Sequence, residues 1–223
     1  MSARKRASMS KSPSATSPAS PRAAPRRMSL TPELVALCYR EEEDPGLNAR
    51  WTPMEDEDYR SLALKLDAQS GGAPLWVFAY GSLMWNPGFH FAEVRRAHLP
   101  GYARRFSLST TIGRGTPDCP GLVLTLEPDT DGACEGLVFR IPAPLVDAES
   151  RLLWRREMIT GAYCPALLAL PTPQGMVQAL VLVANTRHPH HQDGLSMQST
   201  AATIARACGR IGSNRDYLDQ LVR

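Results

Sequence analysis

Apolar residues in this 223-residue chain come in runs no longer than a β-strand, and that limits its fold more than any other feature. The longest clean run, 179–184, is far short of the ~18 residues a membrane helix needs. A membrane-spanning helix is excluded. LWVFAY (75–80) is apolar at every position, the pattern of a strand covered on both faces. Residues 102–110 alternate loosely, and 121–126, 136–141 and 177–184 are three more strand-sized segments. Pro128-Asp129-Thr130-Asp131-Gly132 separates two of them and predicts a hairpin between 121–126 and 136–141. Helical patterns run from Pro144 to about Ile159, over 199–208 and over 214–222. Strands with helices inserted between them predict an α+β domain with a mixed, barrel-like sheet over 71–223, opened by the Gly71-Gly72 break.

Two regions precede that domain. In 29–70, Thr31 can cap a helix with Pro32 in its first turn, continued by 33–40 and an acidic run at 41–44. A second helix is predicted over 55–68, with Tyr59, Leu62, Ala63 and Leu66 on one face. The pair reads as a helical extension packed on the main body. Residues 1–28 consist mainly of Ser, Pro, Ala and Arg, offer nothing to bury and are predicted to be disordered, as a solvated tail or the product of a start codon placed too far upstream.

Charge divides along the same boundary. The chain has 25 Lys and Arg against 22 Asp and Glu, but Arg4, Lys5, Arg6, Lys11, Arg22, Arg26 and Arg27 all lie in the tail. The remainder is acidic by four charges, which argues against nucleic acid as a partner. The tail resembles an organelle transit peptide in composition only and has no secretory core, so a cytoplasmic, reducing location is expected, without disulfides. Cys38, Cys119, Cys134, Cys164 and Cys208 show no metal-type spacing. His188-Pro189-His190-His191 has no acidic or Cys cluster nearby to complete a site and is expected to be a solvated loop; no metal or cofactor is predicted.

Two segments carry chemistry. Tyr80-Gly81-Ser82-Leu83 ends the buried strand, where small residues allow a sharp turn with uncovered backbone N–H groups, suited to a carboxylate or an oxyanion. The alternative is an ordinary strand-ending turn. A hydrolase elbow is absent, because Gly81 precedes Ser82 directly and Met84 stands where the later glycine belongs. The second is Glu157. In the 144–159 helix it shares a face with Val146, Ser150 and Leu153, which turns its carboxyl inward, where desolvation raises its pKa toward that of a general acid/base. Pairing with Arg155 or Arg156, or an outward turn at the helix end, remains open.

Together WVFAYGSLMWNPGF (76–89), GYARRF (101–106), RGTPDCPGLVLTL (114–126), LLWRREMITGAY (152–163) and GSNRDYL (212–218) resemble the ChaC-type γ-glutamylcyclotransferases in order and spacing from residue 75 to the C-terminus. Ser213 stands where the usual variant of the last motif has Pro. The resemblance implies a γ-glutamylcyclotransferase-like fold and cofactor-free cleavage of glutathione to 5-oxoproline and cysteinylglycine. It assigns Glu157 as the acid/base, and the segment Val77, Phe78, Ala79, Tyr80, Gly81, Ser82 and Leu83, with Tyr217 at the pocket wall, as the binding site. Arg104 and Arg105 are candidates for a substrate carboxylate or for a structural ion pair. Other γ-glutamyl amino acids or amines are alternative substrates. A catalytically silent binding module, recruited by its basic tail to nucleic acid or a membrane surface, is the reading from another class.

Overall fold

The computed structural model describes residues 55, 57–59, 61, 62 and 71–223, all within one compact unit spanning 42–223. The expected 1–28 tail and 33–40 helix lie outside the described residues. Of the expected 55–68 helix, 57–59, 61 and 62 are helical, and Tyr59 and Leu62 pack half-buried on the core.

Five strands form the main sheet: β1 (Leu75–Ala79), β2 (Glu93–Thr110), β3 (Gly121–Ile141), β4 (Tyr163–Thr172) and β5 (Gly175–Ala184), in the order β2-β3-β1-β5-β4. β1 runs antiparallel to β3 and parallel to β5. With helices α1 (Val146–Glu157), α2 (Met197–Arg206) and α3 (Asn214–Leu221), and a small β6 (Cys208–Gly209)–β7 (Gly212–Ser213) pair, the fold is α+β as expected. The sheet is mixed, but its strand order is open; it is not a closed barrel.

β1 is apolar throughout because both of its faces are covered. Leu75, Val77 and Ala79 face a cluster completed by Leu153, Trp154 and Met158 from α1 and its end. Phe78 and Tyr80 face the other cluster, with Leu124, Leu126, Val138 and Tyr217. At ~25 cal/mol per Å² of apolar area removed from water, such two-sided burial stabilises β1.

The expected hairpin between 121–126 and 136–141 does not form. Residues 121–141 are one strand, paired antiparallel with β2 from Glu93↔Arg140 to Thr110↔Gly121. The turn signal at 128–132 becomes an irregularity: register passes from Pro100↔Ala133 to Tyr102↔Pro128, with Gly101 opposite at φ +80°. An unbroken long partner overrides a local turn preference. β4 was not foreseen, because Pro165 and Pro171 interrupt its sequence. It lies at the sheet edge, where missing N–H groups cost little.

The His188–His191 loop is not solvated as a whole. His188 is buried, its Nε2 2.9 Å from the Thr160 carbonyl, and His191 Nε2 lies 2.9 Å from Glu127 Oε1. The segment extends the β2 edge through Ser109 N–H to His190 O and Gln192 N–H to Ser107 O. Among the described residues no cluster of three or more His, Cys, Asp and Glu side chains could hold a metal ion, and no helix is long and apolar enough to cross a membrane. The thiols of Cys119, Cys134, Cys164 and Cys208 are free.

Candidate active site

Where β1 ends, the chain turns through Gly81 into a single 3-10 turn, Ser82–Met84, closed by the Met84 N–H donating to Gly81 O at 2.8 Å. The first amides of such a turn have no acceptor within it. A cavity opens there, with about 300 Å³ of free space including its mouth, lined by Tyr80, Gly81, Ser82, Leu83, Leu124, Glu157, Tyr163, Leu182 and Tyr217. It gathers the end of β1, the end of α1, and side chains from β3, β4, β5 and α3.

Each contributor is placed by local structure. Glu157 is the last residue of α1, whose Val146, Ser150 and Leu153 are buried on the sheet, so its carboxylate follows them inward and is 15% exposed. Tyr217 is carried by α3. Ser213 caps that helix reciprocally with Asp216, its Oγ accepting from the Asp216 N–H at 3.0 Å while the Ser213 N–H donates back at 3.2 Å. Ser213 therefore supplies a cap in place of the motif's usual Pro. The fully buried Asn214 then fixes α3 to β3, bonding both N–H and C=O of Leu122 at 2.7 Å. That seats Tyr217 against Trp85, Phe106 and the Gly81 backbone: a Cβ added at Gly81 would lie 3.2 Å from the Tyr217 hydroxyl. Gly81 has φ −139°, outside the left-handed region, and a side chain there would press on the Tyr217 hydroxyl.

The electrostatics follow from burial. Desolvation raises the pKa of Glu157 above the usual carboxylate range, opposed by the charge and hydrogen bond of Arg156. Burial also pushes Tyr80 and Tyr163 well up and Tyr217 to about 12, reinforced by the Glu157 charge. All three hydroxyls therefore stay protonated at neutral pH. Tyr80 donates to Leu182 O at 2.7 Å and Tyr163 to Leu124 O at 2.9 Å. The cavity thus holds one carboxyl of raised proton affinity, phenol donors and a backbone turn. Such a set can move a proton and steady a developing oxyanion.

A family model described as ChaC-like protein matches residues 75–223. The chain belongs to the ChaC-like family. Among its relatives is a glutathione-specific gamma-glutamylcyclotransferase of Escherichia coli (strain K12), 41% identical over 162 residues, covering 72% of this chain and 69% of that protein. A protein named glutathione-specific gamma-glutamylcyclotransferase 1 from Danio rerio is 34% identical over 158 residues, covering 70% and 81%. The crystal structure of a gamma-glutamyl cyclotransferase specific to glutathione from yeast superposes with a TM-score of 0.63 at 25% identity, covering 67% of this chain and 86% of that one.

In this ChaC-like chain Tyr80, Gly81, Ser82, Leu83, Glu157 and Tyr217 meet at one cavity. Val77, Phe78 and Ala79 do not line it: they are sealed in the core beneath the turn. The pairing of Glu157 with a neighbouring arginine is also realised, since Arg156 Nε lies 2.9 Å from Glu157 Oε1. Arg104 and Arg105 lie outside the cavity. Arg104 bonds the Glu135 carbonyl and Cys134 Sγ, and Arg105 pairs with Asp129 at 2.7 Å and Glu127 at 3.5 Å. Leu124, Leu182 and Tyr163 were missed as lining residues. Tyr163 stood in the 152–163 motif, and the signal for it was a phenol six residues beyond Glu157.

Proposed function

We propose that this chain cyclises the γ-glutamyl group of glutathione, releasing 5-oxoproline and cysteinylglycine, with Glu157 as the general acid/base. The observation that carries this reading is the desolvated Glu157 carboxyl facing a backbone turn and three phenols in one cavity. The relatives named above support the choice of substrate.

Glutathione contains its own nucleophile. Glu157 takes a proton from the α-ammonium, and the freed amine attacks the γ-carbonyl carbon to close a five-membered ring. The carbonyl oxygen becomes an oxyanion near the Gly81–Leu83 amides and the Tyr217 hydroxyl. As the C–N bond to cysteine breaks, Glu157 returns its proton to the leaving amine and then takes the second proton from the ring nitrogen, which passes on to that amine so that cysteinylglycine departs as its ammonium. Enclosure supplies orientation, and one carboxyl of raised pKa serves both transfers. No serine or cysteine nucleophile is required. The catalytic domain in this reading is 71–223, an assignment favoured by the family match over 75–223, with 1–28 and 29–70 appended to it.

The test is incubation with glutathione and assay for 5-oxoproline, run beside γ-glutamyl-alanine. Product from glutathione alone supports the proposal; product from γ-glutamyl-alanine alone reassigns the substrate. Absence of product from both leaves a binding module of the same fold.

A further inference from the structure

Arg156 leaves the same last turn of α1 as Glu157, and its guanidinium engages three acceptors. Nε lies 2.9 Å from Glu157 Oε1, Nη2 donates to Ser82 Oγ at 3.2 Å, and Nη1 donates to the Asn86 carbonyl at 2.5 Å. One acceptor is the candidate acid/base, and the other two lie in the segment that follows β1. That segment wraps the guanidinium closely. Gly88 has φ +69°, and a Cβ there would lie 2.8 Å from Arg156 Nη1. The Arg156 side chain is 30% exposed, whereas its neighbour Arg155 lies on the exposed side of the helix.

We propose that Arg156 is a positioning residue that locks the Glu157 carboxylate and the Ser82 turn into one unit, aligned to accept the substrate's ammonium proton. This rests on the reading of Glu157 as the base. The groups facing Glu157 are Arg156 on its own helix, Tyr80 from β1, Tyr163 from β4 and Tyr217 from α3. The phenols are neutral, and burial favours the protonated acid. Arg156 alone among these groups favours the carboxylate. A guanidinium keeps its charge at every working pH, and its rigid planar fork carries donors on three separate nitrogens, where an ammonium offers all of its donors from one.

The direction of the pH effect follows. A protonated Glu157 cannot take the ammonium proton, so kcat/KM falls as pH drops through the Glu157 pKa of the free enzyme. Arg156→Gln removes the opposing charge and should move that acid limb up by about one pH unit or more. Arg156→Lys should return the limb toward its original position. Its kcat should stay about 10–100-fold down, because the turn is no longer held.

The experiment compares wild type, Arg156→Gln, Arg156→Lys and the charge control Arg155→Gln. It measures the pH profile of 5-oxoproline formation and the NMR titration of the Glu157 carboxyl, assigned by its loss in Glu157→Gln. Midpoints that rise in Arg156→Gln, return in Arg156→Lys and stay put in Arg155→Gln are the expected result. An unmoved midpoint in Arg156→Gln, or an equal shift in Arg155→Gln, overturns the inference. If wild type makes no 5-oxoproline, the functional reading fails while the NMR titration still decides the role of Arg156. If Arg156→Gln does not fold, Gly88→Ala takes its place, since it displaces Nη1 without removing charge. Its midpoint should rise, and an unchanged one overturns the inference equally.

Discussion

Glu127 on β3 and Glu157 at the end of α1 have side chains equally exposed, at 15%, and proton affinities moved in opposite directions. Burial raises both. At Glu127 it is outweighed by hydrogen bonds from Ser107, His191 and Thr125, and the pKa falls. At Glu157 a single arginine opposes burial, phenols complete the surroundings, and the pKa rises. The difference lies in the number of donors and also in depth, since Glu157 is enclosed by more of the protein than Glu127 even though the two expose equal surface. A carboxylate satisfied by four side chains, Arg105 included, is built to stay charged and hold β2, β3 and the His188–His191 loop together. One left short of donors keeps its proton affinity available for chemistry.

The largest effect should come from exchanging the two. Glu157→Gln is expected to lower 5-oxoproline formation by ~10²–10⁴-fold with a cooperative melt retained, because the amide cannot accept a proton. Glu127→Gln should leave turnover within a few-fold of wild type. Kinetics and thermal melts on both variants check this, and near-normal turnover in Glu157→Gln would remove that residue from the mechanism. Next in size is Gly81→Val. Its Cβ enters the space of the Tyr217 hydroxyl and Leu124 Cδ1, so glutathione turnover should be lost with only a modest fall in melting temperature. A markedly earlier melt with normal kcat/KM at low temperature would make Gly81 a purely structural turn residue.

Smaller is the stability cost of Glu127→Gln, about 1–3 kcal/mol from donors left without a charged acceptor, measurable by urea denaturation. The smallest effect is the pH dependence of the two losses. Glu127, with its pKa lowered, contributes stability that is present above the unfolded value near ~4.3 and is lost as pH falls through the folded value. Glu157, with its pKa raised, is bound more tightly to its proton in the folded state. Its charge therefore costs stability as pH climbs from the unfolded value through the folded one. Melting curves should show Glu127→Gln approaching wild type toward acid pH, and Glu157→Gln gaining slightly on wild type at pH 7–8 with no gain at pH 4. The same slope in both variants would contradict the comparison.

Much of this was legible in the chain because it depended on neighbours in sequence. The all-apolar 75–80 run announced a strand covered on both faces, and the helical spacing of Val146, Ser150, Leu153 and Glu157 turned that carboxyl inward. What could not be read depended on distant partners. The 128–132 turn signal yielded to eighteen residues of β2, the prolines of β4 are tolerated because that strand lies at an edge, and His188 and His191 are held by the Thr160 carbonyl and Glu127. The site divided the same way. Residues 80–83 share the cavity, but Val77, Phe78 and Ala79 belong to the core that supports it, a distinction set by strand pleat and by where the chain turns.

The central place of β1 in the sheet has a consequence for time as well as space. It is paired with β3 from Leu75 to Ala79 and with β5 at Trp76 and Val77, so its amides should be among the slowest to meet solvent. Deuterium should enter Val77, Phe78 and Ala79 late, while the ends of α1 and α3 fray earlier. The turn hung from β1 would then be the last part of the cavity to lose its shape. Warming would first loosen the helix-borne carboxylate and phenol, reversibly and well below the melt, leaving a fixed cradle to which they return on cooling.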